Sequence, residues 1–296
     1  QSKLAAAPAL APQGQYVGKL EEKWQFPSDH LPIGMSLDGL NLASWNVMNS
    51  EYFDWITTDD QGLARSLIAQ EHIFIGDSKL TVRDMHNIDL ILEMLSHPTH
   101  ARSVLALQEC STPFLEELQK RLPEPMQIVL DSDRLKRDQN VVLYDTRILQ
   151  LREQKSVTGV FSEQPERPFQ DLLFDRLDTN EPLRILNGHL PGNPEGFARD
   201  EFADYLAKTE SADIATIAMG DMNFNELEME DALRKAYPGK APSYTVFSPY
   251  CTNIGPYVCI SKAIDHFLVK LPASSNFKIN TPEEVLAGLS EITQLL

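Results

Sequence analysis

Residues 28–47 read SDHLPIGMSLDGLNLASWNV. Two apolar runs flank Asp38-Gly39, and such a pair between strand-like runs is a strong two-residue hairpin signal, because both turn positions take positive φ. With that loop Leu37 faces Leu40, Leu31 faces Asn46 and Asp29 faces Met48. Asp29 then shares a face with Asn46, one diagonal step away. Strict alternation puts His30 on the opposite face. Pro32 makes the start of the strand irregular, so alternation is not imposed on residues 28–32.

Further short apolar runs end in or carry a polar residue: SVLALQE (103–109), NVVLYD (140–145), LRILNGH (183–189), ATIAMGDMN (215–223) and AIDHFLV (263–269). Runs of this length and composition read as buried strands. More strands are expected at 127–130, 147–151, 156–161 and 169–175. Residues 84–95 carry Ile88, Ile91, Leu92 and Leu95 on one helical face. Ser111-Thr112-Pro113 opens a second helix with Pro at an early position, and 195–208 and 226–236 are two more. Thr281-Pro282-Glu283-Glu284 has the form of a capping box, which predicts a helix over 281–296. Strands outnumber helices, and helices separate strand groups. The expected fold is α/β, a four-layer sandwich of two packed, mainly antiparallel sheets flanked by helices.

The chain has 296 residues, 42% of them hydrophobic, enough for a sizeable core. It has no Pro/Gly/Ser-rich linker and no internal repeat. We therefore expect one domain over residues 16–296 behind an Ala/Pro/Gln-rich flexible tail at 1–15. No apolar run is long enough to span a bilayer, so a soluble chain is expected, and no protein partner is predicted. The formal charge of −17 argues against non-specific coating of a phosphate polymer but leaves room for a local basic groove. Cys110, Cys251 and Cys259 cannot pair completely and lack metal-ligand spacing, which argues against a disulfide framework or a zinc site.

Asn46, Glu109, His189, Asp221 with Asn223, and Asp265 with His266 are polar residues that a strand core does not need. Gathered on one rim they would make an oxygen-rich cleft suited to a hard cation such as Mg²⁺. The pieces SWN (44–46), LQE (107–109), NGHLPG (187–192), GDMNF (220–224) and AIDHFLV (263–269), in this order, resemble the motifs of the endonuclease/exonuclease/phosphatase superfamily. That superfamily normally closes on a strand opened by Ser-Asp-His-x-Pro. Nothing after Val269 fits, whereas Ser28-Asp29-His30-Leu31-Pro32 does. The order therefore reads as a circular permutation of the usual one.

The resemblance implies a metal-dependent hydrolase of phosphate esters, with Mg²⁺ (or Mn²⁺) as cofactor and a metal-activated water as nucleophile. It implies Glu109 as principal metal ligand, supplemented by Asp29 and Asn46 directly or through water. Met48 stands where many members carry an extra Asp. Asp221 is implied as base or water-holder, with Asn223 steadying the transition-state oxygens. His189 and His30 are implied to flank the phosphate, and Asp265 to orient His30. His266 is read as structural, since alternation points it away from Asp265.

The substrate class is less sharply written. Asp133 to Asn140 (DRLKRDQN) is the densest basic stretch near a predicted strand. It reads either as a solvated loop or as a phosphate contact through Arg134, Lys136 and Arg137. Asn140 opens a strand where the superfamily often meets the scissile phosphate, and Arg199 lies on a predicted helix just past GHLPG. Trp24, Phe26, Phe224 and Tyr250 read as core or as stacking platforms. No Trp-Cys-Asp-Arg stretch of the inositol phosphatase type is present, and AIDHFLV is closer to nuclease and deadenylase forms. A nuclease-type phosphodiesterase acting on nucleic acid therefore ranks first. A phosphatase or sphingomyelinase-type phospholipase on a small or lipid phosphate ranks second, and a non-catalytic binding module third.

Overall fold

In the computed structural model, which describes residues 28–52, 80–98, 101–131, 138–193, 197–248, 253–254 and 260–272, Asp38 and Gly39 take φ of 46° and 81°. This is the turn expected between the first two strands. β1 (Ile33–Leu37) pairs antiparallel with β2 (Leu40–Asn46), with Leu37 opposite Leu40 and Ile33 opposite Ser44, the register expected from the turn. The β1–β2 ladder stops at Ile33, next to Pro32, which has no N–H to donate. The expectations for the tail at 1–15, Trp24, Phe26, Arg134, Lys136, Arg137, Tyr250, Cys251, Cys259 and the helix at 281–296 lie outside the described residues.

Along the chain follow α1 (Val82–Ser96), β3 (Val104–Cys110), α2 (Thr112–Arg121), β4 (Met126–Val129), β5 (Gln139–Asp145), β6 (Leu149–Val157), β7 (Phe169–Arg176) and β8 (Pro182–His189). Then come α3 (Ala198–Thr209), β9 (Ala215–Asp221), α4 (Glu226–Ala236), β10 (Thr245–Phe247), the short pair β11 (Asn253–Ile254) and β12 (Ile260–Lys262), and β13 (Asp265–Lys270). One sheet has the order β1-β2-β3-β5-β4 and the other β10-β13-β9-β8-β7-β6. Only β2–β3 and β8–β9 are parallel. Three of these helices start at side-chain caps. Thr81 with Asp84 and Asn225 with Glu228 form capping boxes, and Ser111 caps α2 with Pro113 in its first turn.

Two expectations need correction. In place of the strands expected at 147–151 and 156–161 there is one edge strand, β6 (Leu149–Val157), and residues 158–161 lie in the loop after it. Its middle, Arg152 to Lys155, is exposed and carries no apolar signal; backbone pairing with β7 holds it, helped by Arg152 on Asp175 (3.1 Å) and Gln154 on the Leu130 carbonyl (2.6 Å). The helix expected over 195–208 begins at Ala198.

The four layers follow from alternation. Inward residues Leu40, Leu42, Val104, Ala106, Leu183, Ile185, Ile217, Met219, Phe267 and Val269 meet between the sheets. The outward set Ala43, Trp45, Leu105 and Leu107 packs under α1 and α2. On the other sheet Leu186, Ala218 and Leu268 pack under α3 and α4. Burying each large side chain contributes about 1.5–3 kcal/mol.

Toward one end of the sandwich the inward residues change character. On β2 the series Leu40, Leu42 continues as Ser44, Asn46; on β8, Leu183, Ile185 continues as Asn187, His189; on β9, Ile217, Met219 ends at Asp221. A seam of amides lies between the apolar core and this rim. Gln108 donates from Nε2 to Ser44 Oγ (3.1 Å) and Asn187 Oδ1 (2.8 Å). Asn187 donates from Nδ2 to the carbonyls of Leu107 (3.1 Å) and Val141 (2.9 Å) and to Gln170 Oε1 (3.1 Å). The seam fixes one sheet against the other just below the ionisable residues.

Candidate active site

Glu109 has the wrong parity for this rim, since Leu105 and Leu107 face the helices. A bulge after Leu107 shifts the β3–β5 register by one residue, and Glu109 sits there in the left-handed region with φ 58°. Inserting one residue reverses the facing, and the carboxylate turns inward. Its Oε1 accepts from Asn46 Nδ2 (2.9 Å) and its Oε2 from the Asn49 amide (3.2 Å).

The ends of β2 and β9 are built alike. Asn46 Oδ1 accepts from the Met48 amide and Asp221 Oδ1 from the Asn223 amide, each at 2.9 Å. The donating residues, Met48 and Asn223, have φ of 55° and 57°. Short polar side chains that bond the backbone two residues on stabilise such turns. Left-handed non-glycine residues are strained positions that gather at functional sites. Under the first turn, the buried Arg83 of α1 donates to the carbonyls of Val47 (2.9 Å) and Met48 (2.5 Å).

Close approach of β8 and β9 sets the remaining pair. Gly188 lies opposite Gly220 and His189 opposite Asp221. Gly220 has φ 141°, and a Cβ there would stand 1.9 Å from the Gly188 carbonyl oxygen. Only glycine lets these two strand ends meet. A Cβ on Gly192 would likewise stand 2.9 Å from Asn223 Oδ1, whose amide group donates to the Leu190 carbonyl (2.8 Å).

The side chains so placed form one connected cluster. Asn46 Nδ2 donates to Asp221 Oδ2 (3.0 Å) as well as to Glu109. His30 Nδ1 is 2.9 Å from Asp265 Oδ2, across 235 residues of sequence. His30 Nε2 and His189 Nε2 each lie 3.5 Å from Asp221 Oδ2, and His189 Nδ1 lies 3.6 Å from Glu109 Oε1. The ligand atoms of Glu109, His189 and Asp221 lie within 4.8 Å of one another, as do those of His30, Asp221 and Asp265. Ser28 Oγ donates to the Asn46 carbonyl (2.7 Å) and the Trp45 indole donates to the His30 carbonyl (2.9 Å), which ties residues 28–30 to β2.

The electrostatics separate the groups by role. Burial pushes the His30 pKa down, but the charges of Asp265, Asp221 and Asp29 and the Asp265 hydrogen bond outweigh it and hold His30 well above the ordinary histidine value. His189 goes the other way: burial and the neighbouring charges of Arg167 and His30 keep it well below that value. Burial and the charge of Asp29 raise Glu109 to about 7, and burial raises Asp221 to about 6 against the opposing charge of His30. One imidazole is thus held cationic and the other neutral, beside carboxyls poised near neutrality.

Asp29, His30, Asn46, Glu109, His189, Asp221, Asn223 and Asp265, all named from sequence, therefore gather at one rim. Asp29 joins through its charge on Glu109 and His30. His266 is structural as expected. It points away, with Nε2 2.6 Å from the Phe224 carbonyl and Nδ1 2.5 Å from Ser248 Oγ. Two substrate-contact expectations are corrected. Arg199 pairs with Glu228 (3.3 Å) and lies over the Phe224 ring, because the capping residue of α4 offers it a carboxylate. Asn140 is buried, and its Nδ2 is used on the Pro168 carbonyl (3.2 Å). Sequence reasoning missed Arg167, in the β6–β7 loop, which donates from Nε to the His189 carbonyl (2.7 Å).

A structural comparison places this arrangement. The chain superposes on an endonuclease/exonuclease/phosphatase family protein of Bacteroides thetaiotaomicron with a TM-score of 0.52 at 18% identity, covering 80% of this chain and 84% of that one. This is an endonuclease/exonuclease/phosphatase fold. The same fold is seen in a mannosyl-6-phosphatase of Bacteroides thetaiotaomicron (TM-score 0.50, 18% identity, 78% and 85% covered). It is also seen in D. rerio TDP2 complexed with a single-strand DNA product (TM-score 0.51, 13% identity, 82% and 86% covered). No protein-family model and no curated protein matches the sequence. Among the described residues no helix is long and apolar enough to cross a membrane.

Proposed function

We propose that this chain is a divalent-metal-dependent phosphoesterase, with cleavage of a phosphodiester in nucleic acid as its first reading. The observation that supports the proposal is the series Asp265–His30–Asp221–Asn46–Glu109–His189, joined by hydrogen bonds and ion-pair contacts of 2.9–3.6 Å and assembled from five strands and one loop at a single rim. The donors suit a hard cation, because Glu109, Asp29 and Asn46 offer carboxylate and amide oxygens. Glu109, with Asp29 and Asn46, would hold Mg²⁺ or Mn²⁺. Such an ion neutralises phosphoryl oxygens and stabilises the leaving oxygen. Asp221 takes the proton of the attacking water at Oδ2. The cationic His30, steadied by Asp265, donates from Nε2 to a phosphoryl oxygen. His189 and Asn223 orient the same group, and interactions aimed at developing charge lower the barrier most. The water oxygen bonds to phosphorus as the ester bond breaks, and the leaving oxygen takes a proton from solvent.

Two observations bear on substrate. The single-strand DNA product bound to TDP2 on this fold supports a nucleic-acid ester. The charge of −17 and the mannosyl-6-phosphatase on the same fold favour a small phosphate as the second reading. Hydrolysis of bis(4-nitrophenyl) phosphate, single-stranded DNA and RNA, and sugar phosphates in Mg²⁺ separates them. Glu109→Gln should cut turnover by orders of magnitude with the melting temperature nearly unchanged. Full activity in excess chelator would sink the metal mechanism.

We also infer a circular permutation. The antiparallel β1–β2 hairpin and the His30–Asp265 pair support it. A chain begun at Gly39, with residues 16–38 moved behind residue 296 through a flexible linker, should fold and keep its hydrolysis. A folded but inactive product would count against it.

A further inference from the structure

Arg167 is the cation of the rim that the proposed mechanism does not use. It stands in the β6–β7 loop, one residue before Pro168 and two before β7. That loop is braced by Gly159 N to Pro165 O (2.7 Å), Arg167 N to Gln164 O (2.9 Å) and Asn140 Nδ2 to Pro168 O (3.2 Å). Its guanidinium is held at two of its three nitrogens. Nε donates to the His189 carbonyl (2.7 Å) and Nη1 to Gln164 Oε1 (3.0 Å), while Nη2 makes no hydrogen bond to the described residues. Burial weighs against its charge and the carboxylates of Asp221, Glu109 and Asp138 favour it, and none of these three stands within ion-pair distance. A half-buried guanidinium without a carboxylate partner is unusual, since buried charges are normally paired. Here two neutral oxygens, the His189 carbonyl and Gln164 Oε1, set its orientation.

Resting on the phosphoesterase reading, we propose that Arg167 binds a non-bridging oxygen of the substrate phosphoryl group through Nη2. A guanidinium suits this better than an ammonium. Its planar fork of several donors lets Nε hold the His189 carbonyl while Nη2 meets an oxyanion. The same residue then sets the height of the His189 strand end and supplies positive charge to the anion, so the two duties share one side chain. A phosphoryl oxygen would complete the charge pairing that the protein leaves open.

The test uses the full chain with Mg²⁺, bis(4-nitrophenyl) phosphate as substrate and inorganic phosphate as competing probe. Arg167→Gln should weaken phosphate inhibition by about tenfold or more and lower kcat/KM by roughly 10²–10³-fold, the loss typical of one preorganised oxyanion donor. Millimolar guanidinium should restore part of the rate, which a purely structural strut for His189 would not allow. Inorganic phosphate should also shield Arg167 of the unmutated protein from phenylglyoxal, read by mass spectrometry, so the outcome does not depend on a variant that folds. Turnover and phosphate inhibition in Arg167→Gln equal to those of the unmutated enzyme would overturn the assignment while leaving the phosphoesterase reading intact. Modification of Arg167 at the same rate with and without phosphate would do the same. An unmutated protein that neither hydrolyses the diester nor is protected by phosphate would overturn both.

Discussion

Replacing Asn187 by Leu tests whether the amide seam holds the rim together. Asn187 is fully buried, and its two amide hydrogens serve the Leu107 and Val141 carbonyls and Gln170 Oε1 while Oδ1 accepts from Gln108. It lies where the bulge breaks the β3–β5 register, so these carbonyls have lost regular pairing nearby. Leucine has nearly the same size but strands several of these groups, each costing about 1–3 kcal/mol when buried without a partner. Gln108 keeps Ser44, and the added apolar burial returns part of the loss. A net destabilisation of about 2–4 kcal/mol is expected, or a fall in Tm of roughly 5–15 °C for a domain of this size. Urea unfolding should show a lower midpoint with an unchanged slope. Because Asn187 precedes His189 by two residues and Gln108 adjoins Glu109, activity should fall at temperatures where the variant is still folded. A Tm within about 2 °C of the unmutated protein would refute the role given to the seam.

Gly220→Ala should abolish soluble expression or activity, because its Cβ would stand 1.9 Å from the Gly188 carbonyl oxygen; a folded, active variant would show that β8 and β9 can separate at no cost. Asp171 is held below the ordinary carboxylate range despite burial, by hydrogen bonds from Arg184 (2.8 and 2.6 Å) and Tyr205 (2.7 Å). Its contribution is therefore present above the unfolded value of 3.8 and lost as pH falls through the lower folded value. Asp171→Asn should be less stable by roughly 3–5 kcal/mol at pH 7, where Arg184 is left unpaired, and should show a shallower acid slope in urea melts from pH 5 to 2; parallel curves would exclude this role. Arg199→Ala removes part-exposed pairs with Glu228 and Asp200 and a ring contact, so it should cost about 1 kcal/mol or less and leave kcat/KM unchanged; a large loss of activity would return Arg199 to the cleft.

Most of the rim was legible because alternation and turn chemistry act locally. The Asp38-Gly39 pair set the β1–β2 register, and shared parity along β2, β8, β9 and β13 put Asn46, His189, Asp221 and Asp265 on one side and His266 on the other. Glu109 came through its motif and not through alternation, since no sequence pattern announces a bulge with a left-handed glutamate. Arg167 was illegible for a different reason. Its loop, Glu163-Gln164-Pro165-Glu166, has no periodicity and reads as solvated, and only the folded chain brings it beneath the His189 carbonyl. Arg199 erred in the opposite sense: a basic residue near a motif was given to the cleft, while a carboxylate on the next helix was the nearer partner. The seam was hidden because Gln108 and Asn187 lie within motifs whose neighbouring charges drew the reading.

The same facts bear on why residues 28–32 can serve this rim from the far end of the chain. The field on His30 comes from Asp265, Asp221 and Asp29, and a Coulomb interaction depends on distance and surroundings, not on the order in which residues are joined. What chain order changes is the entropy of closure. The β1–β2 hairpin closes over a two-residue turn, whereas pairing His30 with Asp265 must bring together residues 235 apart. Closure cost rises only with the logarithm of loop length, about 0.6 kcal/mol for each doubling. A long loop is therefore a modest burden compared with the buried strand it delivers. Leu31, Ile33, Met35 and Leu37 are all in the inter-sheet core, and at about 1.5–3 kcal/mol each their burial outweighs that cost. Apolar packing of β1 is thus what brings Asp29 and His30 to the site, and the two polar residues travel with a strand that the core would recruit without them.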